Sequence, residues 1–384
     1  MSNQFQGNNR KIGVGVVGAS ATNPGWAVFA HLPAIQNLPD YELRAVSTSR
    51  RDSAEASAKE YGVAGYDNYQ DMINDPNVDL IVIATNVDTH YSIAKAAIEA
   101  GKMVFSEFPL GVTTEEAYDL ASRAKAAGVR TMVGTQARFS PAIQYAHDLV
   151  KEGYIGEVLS TTMNGTSLIW GPVTPKKFAY TYDVTKGATL LTSPTLHAID
   201  GLNYVLGDYE NVTAKFAIRF PEVKVLEDES TVKVTAPTHL AITGTLMSGV
   251  LSTVVYRGET SRDVDMRWEI NGSKGQLVII AENNGNIQNT ALKLFGGVGE
   301  QTDLTEMEVP SKYFDIVKDI PDGPSKLGNV GYVYASFAKD LREGTHVTPD
   351  FAHAVKRHRL ADAITKANET GTAQKVDNSH PFKD

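Results

Sequence analysis

His197 is the side chain in this sequence best fitted to move a proton near neutral pH, because a neutral imidazole can accept or relay one. It lies in Ser193-Pro194-Thr195-Leu196-His197-Ala198-Ile199-Asp200, where Ser193 and Pro194 read as the cap and first position of a helix. The plain alternative is a hydrogen-bonded histidine in a pocket wall. An aromatic loop precedes it, with Trp170, Phe178, Tyr180, Tyr182 and the pair Lys176-Lys177. A tyrosine hydroxyl can hand a proton to a carbonyl, so Tyr182 joins His197 as an acid–base candidate, although tyrosine in a β-rich stretch is more often core or rim. Arg138, Trp170, Lys177, Tyr180 and Ser193 are candidates for holding a polar substrate through charge, stacking or hydroxyl contacts. For the lysine pair, a solvated basic turn is the simpler reading.

A second set of residues suits phosphate chemistry. Val14-Gly15-Val16-Val17-Gly18 is an apolar stretch that breaks at a glycine, and a helix is predicted from about Trp26 to Leu38. Strand, glycine turn and helix together suit a dinucleotide: glycine lets the backbone approach a pyrophosphate, and the helix start offers free N–H groups and its positive dipole end. The turn runs through Ser20 and Asn23, with Gly25 and Trp26 at the helix start. The second glycine of the usual pattern is Ser20 here, so this motif alone also fits an ordinary strand–turn–helix. After the second strand comes Ser47-Thr48-Ser49-Arg50-Arg51, with no carboxylate before Asp52. Hydroxyls and guanidiniums suit the 2′-phosphate of NADP better than the 2′-hydroxyl of NAD. Thr85, Asn86 and His90 follow one strand, and Glu107 and Phe108 end the next, where the nicotinamide half is expected. His90 also reads as a contact at the start of its helix.

These residues need a frame, and the first half alternates strand and helix. Strands are predicted at Ile12–Val17, Leu43–Ser47, Leu80–Thr85, Met103–Glu107 and Arg130–Gly134. Helices are predicted at Trp26–Leu38, Ser53–Tyr61, Thr89–Ala100 and Thr114–Ala127. Thr113 with Glu116 reads as a capping box, Asp88 as the cap of the helix bearing His90, and Gly101 and Gly128 as stops. The pattern predicts a doubly wound parallel sheet over residues 1–137. Residues 138–384 predict an α+β domain. It opens with a helix from Ser140-Pro141 to about Glu152, continues mostly as antiparallel β from Val158 to Leu294, and closes with helices at about Val330–Arg342 and Pro349–Thr370. Its sheet is expected to leave one face open, and an apolar open face invites a homodimer or homotetramer.

Composition narrows the function. The 384 residues carry a net charge of −9, which argues against a nucleic-acid binder or an anionic membrane surface. There are no cysteines, so disulfides, thiolate metal sites and cysteine nucleophiles are excluded, and no metal site is expected. The polar start MSNQFQGNNR has no signal-peptide character, and no apolar run approaches the ~20 residues of a membrane helix. A cytoplasmic location is expected.

Taken together, these residues resemble the Gfo/Idh/MocA family of NAD(P)-dependent sugar-type oxidoreductases. The resemblance spans nearly the whole chain: the turn at Gly18, Ala84-Thr85 with His90, Glu107-x-Pro109, Ile155-Gly156-Glu157-Val158, His197 with Ile199-Asp200, and Gly272-Ser273-Lys274-Gly275. It implies a Rossmann domain, an open-faced sheet domain, a nicotinamide cofactor and a carbohydrate substrate. Gly25-Trp26-Ala27 through His31-x-Pro33-Ala34-Ile35, with Tyr182-Asp183, Gly187 and Thr192, is similar to the branch of the fungal galactose-regulon repressor. That branch implies a different outcome: a dinucleotide-binding transcriptional co-regulator without turnover. Family enzymes usually carry Glu-Lys-Pro and an Asp four residues before the histidine; this chain has Phe108 and Ser193 at those places. Of the usual Lys, Asp and His set, only His197 matches.

Overall fold

In the computed structural model, which describes residues 10–320 and 323–382, the chain forms two compact units. The first takes in the described residues up to Thr135, Phe314–Val355, and the chain from Pro381; the second takes in Gln136–Tyr313 and Lys356–His380. The segment Phe314–Val355 groups with the first unit. Hydrogen bonds show why: the Val133 N–H donates to the Pro349 carbonyl at 2.9 Å, and the Phe351 N–H to the Thr131 hydroxyl at 3.3 Å.

The first unit is a doubly wound α/β layer. Its elements are β1 (Ile12–Val17), α1 (Leu32–Asn37), β2 (Tyr41–Ser47), α2 (Arg51–Tyr61), β3 (Ala64–Tyr66), α3 (Tyr69–Ile73), β4 (Leu80–Ile83), α4 (His90–Glu99), β5 (Met103–Glu107), α5 (Thr114–Ala127) and β6 (Thr131–Gly134). All six strands are parallel, in the order β3-β2-β1-β4-β5-β6. The central strands are buried on both faces, so Val14, Val16, Ile81, Val82, Val104, Phe105 and Val133 read as continuous apolar runs rather than alternating ones. That strand order places a ligand crevice beyond the carboxyl ends of β1 and β4, where the order reverses.

The helix expected from Trp26 is irregular. A wide π-helical turn over Ala27–His31 precedes α1, with Val28 and Phe29 N–H groups both bonded to the Gly25 carbonyl. At α5 the Thr113 side chain accepts from Glu116 N–H as expected, while Glu116 Oε2 accepts from Val112 N–H at 2.7 Å rather than from Thr113. Thr89, not Asp88, is the cap residue of α4, and Asp88 sits in a preceding 3₁₀ turn. The helix expected from Val330 begins earlier, at Gly323, and is broken at Gly328.

The second unit begins with α6 (Pro141–Lys151), β7 (Val158–Ser167) and β8 (Val173–Thr174), followed by α7 (Leu196–Leu206). Strands β9 (Tyr209–Ala217), β10 (Glu222–Val225), β11 (Thr231–Lys233), β12 (His239–Leu246), β13 (Leu251–Gly258), β14 (Met266–Gly272), β15 (Gly275–Ala281), β16 (Lys293–Val298), β17 (Thr305–Met307) and β18 (Gln374–Lys375) come next. A nine-stranded sheet runs β17-β16-β15-β14-β7-β13-β12-β9-β18, antiparallel except where β7 pairs with β13, and a small sheet joins β11-β10-β8. One face is core, with Leu240, Ile242, Val254, Tyr256, Trp268 and Ile270 buried. The other face differs from the expected apolar patch. Its central row, in register across four strands, is Thr213, Thr243, Thr253 and Thr162. Among the described residues, no helix is long and apolar enough to cross a membrane.

Candidate active site

Gly18 ends β1 in a conformation that only glycine adopts freely, with φ +96°. A Cβ there would lie 2.7 Å from the Ala84 carbonyl oxygen and 3.1 Å from Thr85 Cγ2, so the space is also closed to a side chain. Gly18 N–H donates to the Ser47 carbonyl at 2.9 Å, joining the ends of β1 and β2. Beyond it Ser20 organises the turn: its Oγ accepts from Asn23 N–H and lies 3.2 Å from Thr22 Oγ1. Ser57 Oγ on α2 accepts from Ala21 N–H. The result is a backbone cradle at the start of a helical segment, in the place this topology gives a pyrophosphate. Gly25 plays a lesser part, since a Cβ there would meet nothing within 4 Å.

Ser49, Arg50 and Arg51 are exposed at the end of β2. Arg50 Nε pairs with Asp52 at 3.1 Å, and Arg51 Nε with Glu55 at 2.9 Å. The Arg50 hydrogen bond is the main cause that holds the Asp52 carboxyl below its ordinary range. Such surface pairs are weak and leave both guanidiniums able to turn to a phosphate.

At the end of β4, Thr85 Oγ1 and Thr89 Oγ1 lie 2.7 Å apart, and the Asn86 carbonyl accepts from Thr89. His90 was expected among the cofactor contacts. It is buried instead, with Nδ1 2.9 Å from the Pro109 carbonyl and Nε2 3.1 Å from the Thr85 carbonyl. Burial lowers its pKa, and the single N–H of the neutral ring donates to one of these carbonyls, so His90 packs between the chain ends after β4 and β5. Phe108 is buried, and the Glu107 side chain keeps 13% of its surface exposed. Glu107 Oε1 lies 2.9 Å from His31 Nε2, a partner that motif reading did not supply.

In the second unit His197 is 3% exposed, on the first turn of a helix buried nearly all round. Ser193 and Pro194 do not cap this helix. They lie inside a π-helical turn, Leu191–Thr195, that runs into α7, with Ser193 N–H donating to the Thr189 carbonyl. Several other candidates serve the frame. Tyr182 is fully buried and donates to the Gly171 carbonyl at 3.0 Å; burial pushes its pKa up to about 12. The Tyr182 hydroxyl is therefore engaged by the backbone. Trp170 is buried as well, its Nε1 donating to the Thr181 carbonyl, which removes its face from sugar stacking. Arg138 grips Asp200 with both arms, Nε to Oδ2 at 2.8 Å and Nη2 to Oδ1 at 2.7 Å, and lies over the Tyr204 ring. It is an internal clamp rather than a substrate anchor. Lys177 is exposed against the Phe178 ring and Tyr180 is half-buried.

Comparison with known proteins agrees with this geometry. Residues 12–135 match the model of the oxidoreductase family with an NAD-binding Rossmann fold, and residues 141–281 match the Gal80p C-terminal domain. Dehydrogenase aclE of Aspergillus oryzae is 29% identical over 94% of this chain and 98% of its own. The galactose/lactose metabolism regulatory protein GAL80 of Saccharomyces cerevisiae is 25% identical over 97% of this chain and 96% of its own. The solved structure of levoglucosan dehydrogenase with NADH and levoglucosan is similar at a TM-score of 0.83 and 22% identity, over 96% of this chain and 100% of that one. Residues 12–135 are thus of the NAD-binding Rossmann type of the Gfo/Idh/MocA oxidoreductase family, and residues 141–281 of the Gal80p C-terminal type.

Proposed function

We propose that the protein is an NADP(H)-preferring oxidoreductase acting on the CH–OH group of a sugar-like or other polyhydroxylated substrate. The observation that carries the reading is the Gly18 cradle, shaped by positive φ and by the close approach of the Ala84 carbonyl. A bound nicotinamide supplies or accepts the hydride. The turn from Gly18 to Trp26 holds the pyrophosphate, Ser49, Arg50 and Arg51 hold the 2′-phosphate, and Thr85, Asn86, Glu107 and Phe108 line the nicotinamide side. His197 exchanges the proton through its imidazole, without Tyr182. Ser193, Lys177 and Tyr180 remain candidate substrate contacts. A carbohydrate substrate is supported by relatives named for such compounds, levoglucosan dehydrogenase among them. The working form is a cytoplasmic homodimer or homotetramer joined through the open sheet face, its threonine row offering polar cross-strand pairing. NADPH oxidation and NADP⁺ reduction, followed by near-ultraviolet absorbance across sugars, keto-sugars and sugar acids, test this reading.

Phe108 and Ser193 favour a second reading, since they replace two of the usual proton-handling groups. In that reading the protein binds dinucleotide without turnover and regulates a protein partner; its GAL80 relative is named a galactose/lactose metabolism regulatory protein. Tight cofactor binding with no turnover on any substrate would select it.

A further inference from the structure

A small concavity in the second unit collects charges that do not pair with one another. It opens on the face of the nine-stranded sheet opposite the core, where β13, β7 and β14 run side by side, and its volume is about 230 Å³. Two rows of side chains in register form its floor. Arg257 stands opposite Thr166, whose N–H donates to the Asp265 carbonyl at 2.8 Å. Val255, Asn164 and Arg267 make the next row, beside the threonines of that face. Ser261 and Asp263 also line it. Asp265 is only 6% exposed. Its Oδ1 accepts from Thr166 Oγ1 at 2.8 Å and from the Ser261 N–H at 2.7 Å. Its Oδ2, like the exposed Asp263 carboxylate, has no hydrogen-bond or ion-pair partner among the described residues. Arg267 is occupied by Glu269, at 2.6 Å. The half-buried Arg257 meets the Thr260 carbonyl at 3.5 Å, too long for a strong hydrogen bond, and no carboxylate among the described residues.

We propose that this concavity binds a free amino acid. An unpaired guanidinium and two carboxylates with unpaired oxygens, held apart on one small surface, call for a ligand that carries an anion and a cation together. The ligand's carboxylate takes the Arg257 fork, and its ammonium donates to Asp265 Oδ2 and to Asp263. A carboxylate alone leaves both aspartates unanswered, and an amine alone leaves the guanidinium so. A phosphate dianion brings more charge of the same sign as Asp263 and Asp265. Size agrees, because 230 Å³ lies below the ~300–1,000 Å³ of pockets for drug-sized ligands. Asp265, fixed by Thr166 and Ser261, is the preorganised end of the site, and Asp263 is the exposed one. No residue of the cofactor reading takes part, so the two stand or fall separately.

The test is isothermal titration of the full-length protein with each of the common L-amino acids, and with L-lactate and ethylamine, which each keep one of the two charged groups. The unaltered protein should bind at least one amino acid with a dissociation constant of about 1 mM or tighter. Lactate and ethylamine should bind about tenfold more weakly, or worse. Arg257→Met keeps the length of the side chain and removes the guanidinium; Asp263→Asn keeps the shape and removes the charge. Each should weaken the same amino acid about tenfold or more, as loss of a charge-assisted hydrogen bond does. Thermal melting identifies a variant that has not folded, and the other then carries the test. Failure of every amino acid to bind, or an affinity unchanged in a folded variant, overturns the proposal. Sedimentation velocity gives a separate readout: if the variants shift the state of association while the unaltered protein binds no amino acid, these charges serve contact between copies and the proposal falls.

Discussion

Arg138 meets Asp200 through two parallel hydrogen bonds, and Asp200 is completely buried. Arg357 Nε stands 3.9 Å from the same carboxylate and donates from Nη2 to Asp208, so the cluster links the start of the second unit to α7 and the helix Phe351–Thr370. Removing Arg138 would take the bidentate partner from a buried carboxylate. Arg138→Ala should cost on the order of 3 kcal/mol of stability, read by chemical denaturation. A loss below about 0.5 kcal/mol would return Arg138 to the list of substrate-binding candidates, as a typical surface substitution has no larger effect.

Tyr182 gives a sharper division between frame and chemistry. Tyr182→Phe deletes one buried hydrogen bond to the Gly171 carbonyl and should lower stability by about 1–2 kcal/mol. Its effect on kcat should stay within about twofold, since the phenol is committed to the backbone. A large fall in kcat with stability intact would restore Tyr182 as an acid.

Arg50 reports on the cofactor's phosphate. Arg50→Ala should weaken NADPH binding by about tenfold or more, the worth of a charge-assisted hydrogen bond, and leave NADH binding nearly unchanged. Isothermal titration with the two reduced cofactors decides it. An unchanged NADPH dissociation constant removes Arg50 from the 2′-phosphate site.

Asp208 predicts how the second unit responds to acid. Burial pushes its pKa up, but Arg357 and Lys356, with hydrogen bonds from both and from Asn203, hold it well below the ordinary carboxylate range. A depressed folded-state pKa gives stability that is present above the unfolded value and lost as pH falls. The wild-type melting temperature should therefore drop more steeply below about pH 4 than that of Asp208→Asn. Parallel curves would show that Asp208 does not set the acid limit.

Much of the frame was legible because it depends on local pattern. Strands β1 and β5 and helix α5 match their expected bounds, since apolar runs and the Thr113 cap define them within a few residues. The short strands β3, β8 and β18 hold too few residues to display a period. The π-helical turns at Ala27–His31 and Leu191–Thr195 were hidden, and Ser193-Pro194 imitates a cap from inside one of them. Residue type also does not disclose burial, which is why Tyr182, Trp170 and Arg138 looked chemical. His31 was visible in the His31-x-Pro33 loop, but its partner Tyr334 lies 303 residues away in the chain, a contact that no local motif carries.

Turnover in wild type and His197→Ala tests the central claim most directly. Reduced-cofactor absorbance would be followed with NADPH and NADP⁺ across polyols, sugars, keto-sugars and sugar acids. Cofactor binding would be confirmed in the same samples by fluorescence. The account predicts turnover with at least one polyhydroxylated substrate and a fall of about 100-fold or more in kcat for His197→Ala, with cofactor affinity retained. Tight cofactor binding with no turnover on any substrate, or full activity without His197, would contradict it.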